Sequence, residues 1–114
     1  MSAITTHVLD TSRGQPAAGV SVVLELYGER AEWRELARGV TDADGRLRDL
    51  LPADRVPVAG IYRLTFDTGA YFQRLGLACF YPSVTVVFEI RAPSEHYHVP
   101  LLLSPFGYST YRGQ

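Results

Sequence analysis

The side chains best suited to chemistry in this 114-residue sequence are its three histidines, His7, His96 and His98. Imidazole titrates near neutral pH, so histidine is the usual residue for moving a proton under physiological conditions. His96 and His98 are two positions apart, and two such residues on a strand share a face and could bind a metal ion together. No third ligand has a convincing spacing. A zinc site at this pair is therefore an alternative with weak support, and each histidine alone would by default be a solvated surface residue.

Strand alternation predicts which way these histidines point. In "HYHVPLLL" (96–103) the apolar face that should pack in the core comprises Tyr97, Val99, Leu101 and Leu103. In "AITTHVL" (3–9) the better core face comprises Ile4, Thr6 and Val8. All three histidines are therefore predicted to lie on outer sheet faces, away from the core of their own subunit.

The elements that must position these residues are mostly strands. Alternating or β-branched segments occur at 3–9, 20–27, 33–41, 61–68, 84–90, 96–103 and 106–112. "DADG" (42–45) predicts a tight turn just before Arg46. "TGAYFQRLG" (68–76) predicts a short helix with Thr68 as its N-cap and Gly76 as its stop. Seven or eight short strands separated by turns predict an all-β sandwich, with residues 1–114 forming one domain.

Composition narrows the functional classes. The formal net charge is −1 and no block of basic residues exists, which argues against nucleic acid or a membrane surface as a partner. The single cysteine, Cys79, cannot form an internal disulfide, so a reducing compartment, the cytoplasm, is the predicted location. No secretory signal is visible, and the apolar runs are too short to cross a bilayer.

Several motifs, read together, resemble one family. "THVLDTSRGQPAAGVSVVLE", "TDADGRL", "DTGAYFQRLG" and "HYHVPLLLSPFGYSTYRG" are similar, in this order and over essentially the whole chain, to the 5-hydroxyisourate hydrolases, the transthyretin-like hydrolases of urate breakdown. The resemblance implies a transthyretin-like β-sandwich of two four-stranded sheets with one short helix. It also implies a homotetramer in which outer sheet faces of two dimers meet and enclose the active-site clefts, which would explain histidines that face away from the core.

The resemblance also implies the site and its reaction. The implied catalytic residues are His7, Arg46 and His98, and the implied substrate-binding residues are Tyr111, Arg112, Gly113 and Gln114. The implied reaction is the hydrolytic opening of 5-hydroxyisourate to 2-oxo-4-hydroxy-4-carboxy-5-ureidoimidazoline, with no metal and no cofactor. The family usually ends in serine. A carboxamide does not readily relay a proton as a hydroxyl can, so Gln114 is expected to bind rather than to relay.

The residue types suit this chemistry. Water is a weak nucleophile at neutral pH, so we expect His7 and His98 to hold and deprotonate it, with the choice of base left open. We expect Arg46 to stabilise the charge that develops on the carbonyl oxygen. Arg112 or the terminal backbone would bind the polar edges of the planar substrate.

Two rival classes share parts of this pattern. A non-catalytic carrier of small ligands, of the transthyretin type, would have the same sandwich and helix. It would have no need for two histidines and an arginine in one cleft, or for the terminal "YRG". An interaction or adhesion module is disfavoured by the lack of a visible signal and of cysteines that could pair.

Overall fold

The computed structural model describes residues 2–114 as two β-sheets packed face to face, with one short helix. The strands are β1 (Ile4–Asp10), β2 (Gln15–Pro16), β3 (Ser21–Tyr27), β4 (Trp33–Val40), β5 (Arg46–Leu47), β6 (Gly60–Phe66), β7 (Val84–Ile90), β8 (Tyr97–Ser104) and β9 (Gly107–Thr110), and the helix is α1 (Thr68–Arg74). The predicted β-sandwich with one short helix is confirmed. Within residues 2–114, no helix is long and apolar enough to span a membrane.

The first sheet has the strand order β2-β1-β8-β9, and the second has the order β4-β3-β6-β7. The first sheet contains five strands rather than four, because the short strands β2 and β5 pair with successive parts of the same edge of β1. The sheet is nevertheless four positions wide, as predicted. Strand β1 runs parallel to β8, whereas the other strand pairs are antiparallel.

The core fills the space between the sheets with the inward side chains that the alternation predicted. On β8 the buried side chains are Tyr97, Val99, Leu101 and Leu103, and on β1 they are Ile4, Thr6 and Val8. Two outward residues are also buried: Thr5 on β1, and Pro100 on β8, which the chain near Gly113 covers. The predicted core faces of both strands are therefore confirmed.

Helix α1 begins one residue earlier than the sequence suggested. The N-cap is Asp67, whose carboxylate accepts a hydrogen bond from the backbone N–H of Ala70 at 3.2 Å, so the prediction of Thr68 as N-cap is wrong. Thr68 lies inside the first turn and its hydroxyl donates to the carbonyl of Tyr81. Gly76 has φ of +71°, as expected for the residue that stops the helix.

The turn at 42–45 places β5 beside β1. Asp42 Oδ1 accepts hydrogen bonds from the backbone N–H groups of Asp44 and Arg46, at 2.9 and 3.0 Å, and these bonds help to hold the pKa of Asp42 below its usual value. Gly45 has φ of +75°, and a Cβ atom there would lie 2.4 Å from the carbonyl oxygen of Val8. Only glycine therefore fits, and the turn packs directly on β1.

We predict that Gly45→Ala destabilises the protein by about 1–3 kcal/mol more than Gly14→Ala does. Both glycines have positive φ, so both variants carry backbone strain, but a Cβ at position 14 meets no atom within 4 Å. The difference between the variants therefore measures the contact of the turn with β1. Urea unfolding of both variants is the measurement, and equal midpoints would show that the turn moves away at no cost.

Candidate active site

Five of the seven predicted site residues lie at the outer face of the first sheet, where β1 and β8 run side by side. The parallel register pairs Thr5 with His98 and His7 with Pro100. On the other edge of β1, the short strand β5 pairs Arg46 with His7. Three segments that are distant in sequence thus meet on one face.

A cavity of about 190 Å³ opens on this face. Its lining residues are Thr5, Thr6, Arg46, Arg48, His96, His98 and Gln114. The structure therefore brings together Arg46, His98 and Gln114, three of the residues that the resemblance implies. Strand alternation could have found Thr5 and Arg48 as well, because each is two positions from a predicted site residue.

His98 is held from β1 and is kept neutral by its surroundings. Thr5 Oγ1 lies 2.8 Å from His98 Nδ1. Burial lowers the pKa of His98 most, and the positive charge of Arg46 and the neighbouring His96 and His7 lower it further. A hydrogen bond with the backbone of Thr5 acts in the opposite direction. A histidine with a lowered pKa is neutral at pH 7 and can accept a proton.

His7 lies beside the cavity and is held by the turn at 42–45. Its Nε2 is 2.8 Å from the carbonyl oxygen of Asp44. A carbonyl oxygen can only accept, so Nε2 carries the hydrogen and donates it. The turn that carries Arg46 therefore also fixes the ring of His7.

The terminal residues pack against the opposite side of His98. The backbone N–H of Gly113 donates to the carbonyl oxygen of His98 at 2.8 Å and forms an isolated antiparallel bridge. A Cβ atom on Gly113 would lie 2.6 Å from His98 Cδ2. Glycine at this position lets the backbone lie directly against the imidazole ring.

Tyr111 and Arg112 are directed elsewhere. Arg112 donates to Glu95 Oε1 at 3.1 Å, and its guanidinium carbon lies 4.4 Å from the centre of the Tyr97 ring. Both Tyr111 and Arg112 line a separate, largely apolar cavity of about 300 Å³ beside β7 and β8. The structure thus places Gly113 and Gln114 at His98, but not Tyr111 and Arg112.

The alternative of a metal site at His96 and His98 gains no third ligand. Both His96 Nε2 and His98 Nδ1 lie within hydrogen-bond distance of Thr5 Oγ1. Across residues 2–114, no group of three or more His, Cys, Asp or Glu side chains is arranged to hold a metal ion.

The two arginines of the cavity differ in their charge partners. Arg48 lies 3.5 Å from Asp42 Oδ2, whereas Arg46 forms no ion pair with any carboxylate of the described residues. A guanidinium without an ion-pair partner, beside a neutral imidazole, can stabilise an oxyanion while the imidazole moves a proton. The fold and the site together define a β-sandwich with the means for hydrolysis by acid–base catalysis.

Comparisons with known proteins agree with this class. The model of the HIUase/Transthyretin family matches residues 4–113. The 5-hydroxyisourate hydrolase of Caulobacter vibrioides is 48% identical, over 99% of this chain and 99% of its own. The mouse 5-hydroxyisourate hydrolase is 46% identical, over 98% of this chain and 95% of its own. The chain therefore belongs to the HIUase/Transthyretin family.

Solved structures of both kinds of family member share the fold. Klebsiella pneumoniae 5-hydroxyisourate hydrolase superposes with a TM-score of 0.85 at 41% identity, covering 100% of this chain and 94% of its own. Transthyretin from Sparus aurata superposes with a TM-score of 0.91 at 36% identity, covering 99% and 97% of the two chains. The fold is therefore common to hydrolases and transthyretins, and only the site can distinguish them.

We predict that Arg46→Gln raises the pKa of His98 toward its ordinary value of about 6.5, because it removes a positive charge that disfavours the imidazolium. Arg48→Gln is the matched control, and it should change this pKa less because Arg48 is not among the charges that shift the pKa of His98. NMR titration of the His98 ring in the three proteins is the measurement. An unchanged pKa in Arg46→Gln would show that Arg46 does not act on His98.

Proposed function

We propose that this protein hydrolyses 5-hydroxyisourate to 2-oxo-4-hydroxy-4-carboxy-5-ureidoimidazoline in urate breakdown, with no metal and no cofactor. The observation that carries the proposal is the cavity in which His98, held neutral, shares a wall with the unpaired Arg46. Curated relatives named 5-hydroxyisourate hydrolases, which match nearly the full chain, support the substrate.

In the proposed reaction, His98 accepts a proton from water through the ring nitrogen that Thr5 does not hold. The water oxygen bonds to the carbonyl carbon of the substrate, and the electron pair of the C=O bond moves to oxygen, where Arg46 stabilises the charge. The C–N bond then breaks, and the leaving nitrogen takes the proton from the His98 imidazolium. One water is consumed and His98 becomes neutral again.

His98 is the better candidate for the base, and His7 for a positioning role. His98 lines the cavity, and burial together with Arg46 lowers its pKa. His7 lies beside the cavity and donates through Nε2 to Asp44, which fixes the ring. We therefore assign proton transfer to His98, and the orientation of water or substrate to His7.

The terminal segment is proposed to shape the binding wall. Gln114 lines the cavity, where its carboxamide can donate to and accept from the polar edges of a planar ring. The backbone of Gly113 lies against the His98 ring and limits its movement. Arg112, which contacts Glu95 and the Tyr97 ring, would hold this segment in place. For Arg112 or Tyr111 to bind the substrate, their side chains would have to rotate away from these positions.

A small-ligand carrier is the second candidate, because a transthyretin solved in complex with thyroxine superposes with a TM-score of 0.90 at 36% identity. A carrier would bind its ligand without converting it. The cavity is lined by two imidazoles and two guanidinium groups, and the backbone of Gly113 packs against His98. These features favour the hydrolase over the carrier.

The proposed assembly is a homotetramer in the cytoplasm. Strands β7 and β9 leave free sheet edges, and large apolar side chains on or near them are exposed, including Phe80, Val87, Phe106 and Tyr111. Such edges and patches favour association with further copies. Cys79 is unpaired, which suits a reducing compartment.

We predict that His98→Asn lowers turnover of freshly generated 5-hydroxyisourate by about 10²-fold or more, the usual loss for a positioned acid–base group. His7→Asn should lower turnover by a similar factor, because the water and the substrate lose their orientation. Asparagine keeps a polar side chain, and both histidines lie on the outer sheet face rather than in the core, so the fold and the assembly should survive. An ultraviolet assay gives the rate, while light scattering and thermal melting check the fold and the tetramer.

The reference for these assays is the uncatalysed decay of the substrate. If the wild-type protein binds 5-hydroxyisourate but does not exceed that rate, the carrier is the correct function. If only one histidine variant retains near-full turnover, that histidine has no part in the chemistry.

We further predict that Gly113→Ala lowers turnover by roughly 10- to 100-fold, because the added Cβ would displace the His98 ring. Gly107→Ala is the matched control near the terminal strand, since a Cβ there meets only Ser104 Oγ, at 3.8 Å. Thermal melts should be similar for the two variants. Full activity in Gly113→Ala would show that the ring position tolerates the shift.

A further inference from the structure

One hydroxyl group connects two imidazole rings at the cavity. Thr5 Oγ1 lies 2.8 Å from His98 Nδ1 and 3.1 Å from His96 Nε2. The Thr5 side chain is buried, whereas His96 is exposed to solvent. The two rings are nearly parallel, at 18°, with centroids 6.4 Å apart.

The number of hydrogens restricts this arrangement. A threonine hydroxyl has one hydrogen to donate, and a neutral imidazole has one nitrogen that donates and one that accepts. Among the described residues, Thr5 Oγ1 has no hydrogen-bond partner other than these two rings, so when both are neutral its single hydrogen goes to one ring and it accepts from the other. The tautomers of His96 and His98 are therefore linked through Thr5.

Two linked states are possible. In the first, His98 carries its hydrogen on Nδ1 and donates it to Thr5, which donates to His96 Nε2. In the second, Thr5 donates to His98 Nδ1, and His98 then carries its hydrogen on Nε2. Only the first state leaves a lone pair on Nε2, the nitrogen that is free to accept a proton from water.

We propose that Thr5 is a positioning residue that sets the tautomer of His98, with His96 as the acceptor that completes the chain. In the first state, the His98 imidazolium that forms during turnover keeps donating from Nδ1 to Thr5. No hydrogen bond therefore has to reverse its direction. Thr5 and His96 thus take the orienting position that a carboxylate occupies in a catalytic triad.

The acceptors that reach the His98 ring both belong to Thr5, its hydroxyl at 2.8 Å from Nδ1 and its backbone. The side chains that act on His98 from β1, β5 and β8 are Thr5, His7, Arg46 and His96. Arginine only donates, and the terminal Gly113 contacts the ring near Cδ2. This inference rests on the proposed function for its kinetic part, but the tautomer itself can be observed without any substrate.

The experiment is ¹⁵N NMR of histidine-labelled protein, at a pH where His98 is neutral, because the ring ¹⁵N shifts distinguish the two tautomers. Wild-type His98 should carry its hydrogen on Nδ1. Thr5→Val, which removes the hydroxyl at nearly constant volume, should move the hydrogen to Nε2. Thr5→Ser should restore the wild-type tautomer.

Thr6→Val is the matched control, because Thr6 is also buried on β1 and lines the cavity, but its hydroxyl donates to the carbonyl of Val99. This variant should leave the His98 tautomer unchanged. His96→Leu removes the acceptor of Thr5 at an exposed position and should shift the tautomer as Thr5→Val does. His96→Gln retains an acceptor and should not. The His96 pair decides the question even if Thr5→Val does not fold.

The kinetic arm uses the same variants. Thr5→Val should lower kcat by about 10- to 100-fold with little change in KM, the range found for partners that orient a functional histidine. Two results would overturn the inference. One is a wild-type His98 that carries its hydrogen on Nε2, and the other is an unchanged His98 tautomer in both Thr5→Val and His96→Leu. If the wild type lacked hydrolase activity while the tautomers behaved as described, the proposed function would fail and the inference about Thr5 would stand.

Discussion

The parallel pairing of β1 with β8 is the constraint on which the site depends. These strands lie near opposite ends of the sequence, yet their register sets Thr5 directly beside His98 and His7 beside Pro100. A slip of one residue would turn every outward side chain of one strand into the core. Burial of the alternate residues, such as Val8 and Leu101, therefore fixes the functional face as well as the interior. Packing energy and site geometry are thus set by the same register.

Short segments then complete what this strand pair begins. The two-residue strand β5 adds Arg46 on one side, and the turn before it holds His7 through a backbone carbonyl. The terminal residues cover the other side and press a glycine backbone against His98. Neither segment has a large core of its own. Each is positioned by backbone hydrogen bonds, which place groups accurately at a small cost in buried area.

The sequence predicted the sandwich, the inward faces of β1 and β8, and the outward histidines. These features follow from the alternation of apolar and polar residues along each strand, which can be seen in the sequence itself. The motif resemblance added Arg46, His98 and Gln114, which the structure brings into one cavity. The N-cap at Asp67 was missed because Asp67 and Thr68 are both good capping residues. The bridging role of Thr5 and the outward turn of Arg112 depend on three-dimensional register, which no local pattern encodes.

The lining of the cavity has a consequence for how molecules approach it. Two guanidinium groups and two imidazoles face the opening, and no aspartate or glutamate side chain is among the seven lining residues. Both charged side chains of the lining are cationic and Asp42 offsets only part of their charge, so this opening is more positive than the formal net charge of −1 suggests. A negatively charged molecule would be drawn toward this face from a distance of about one Debye length, roughly 8 Å at physiological ionic strength. Its rate of encounter would fall as salt is added, whereas divalent cations would be repelled from the same opening.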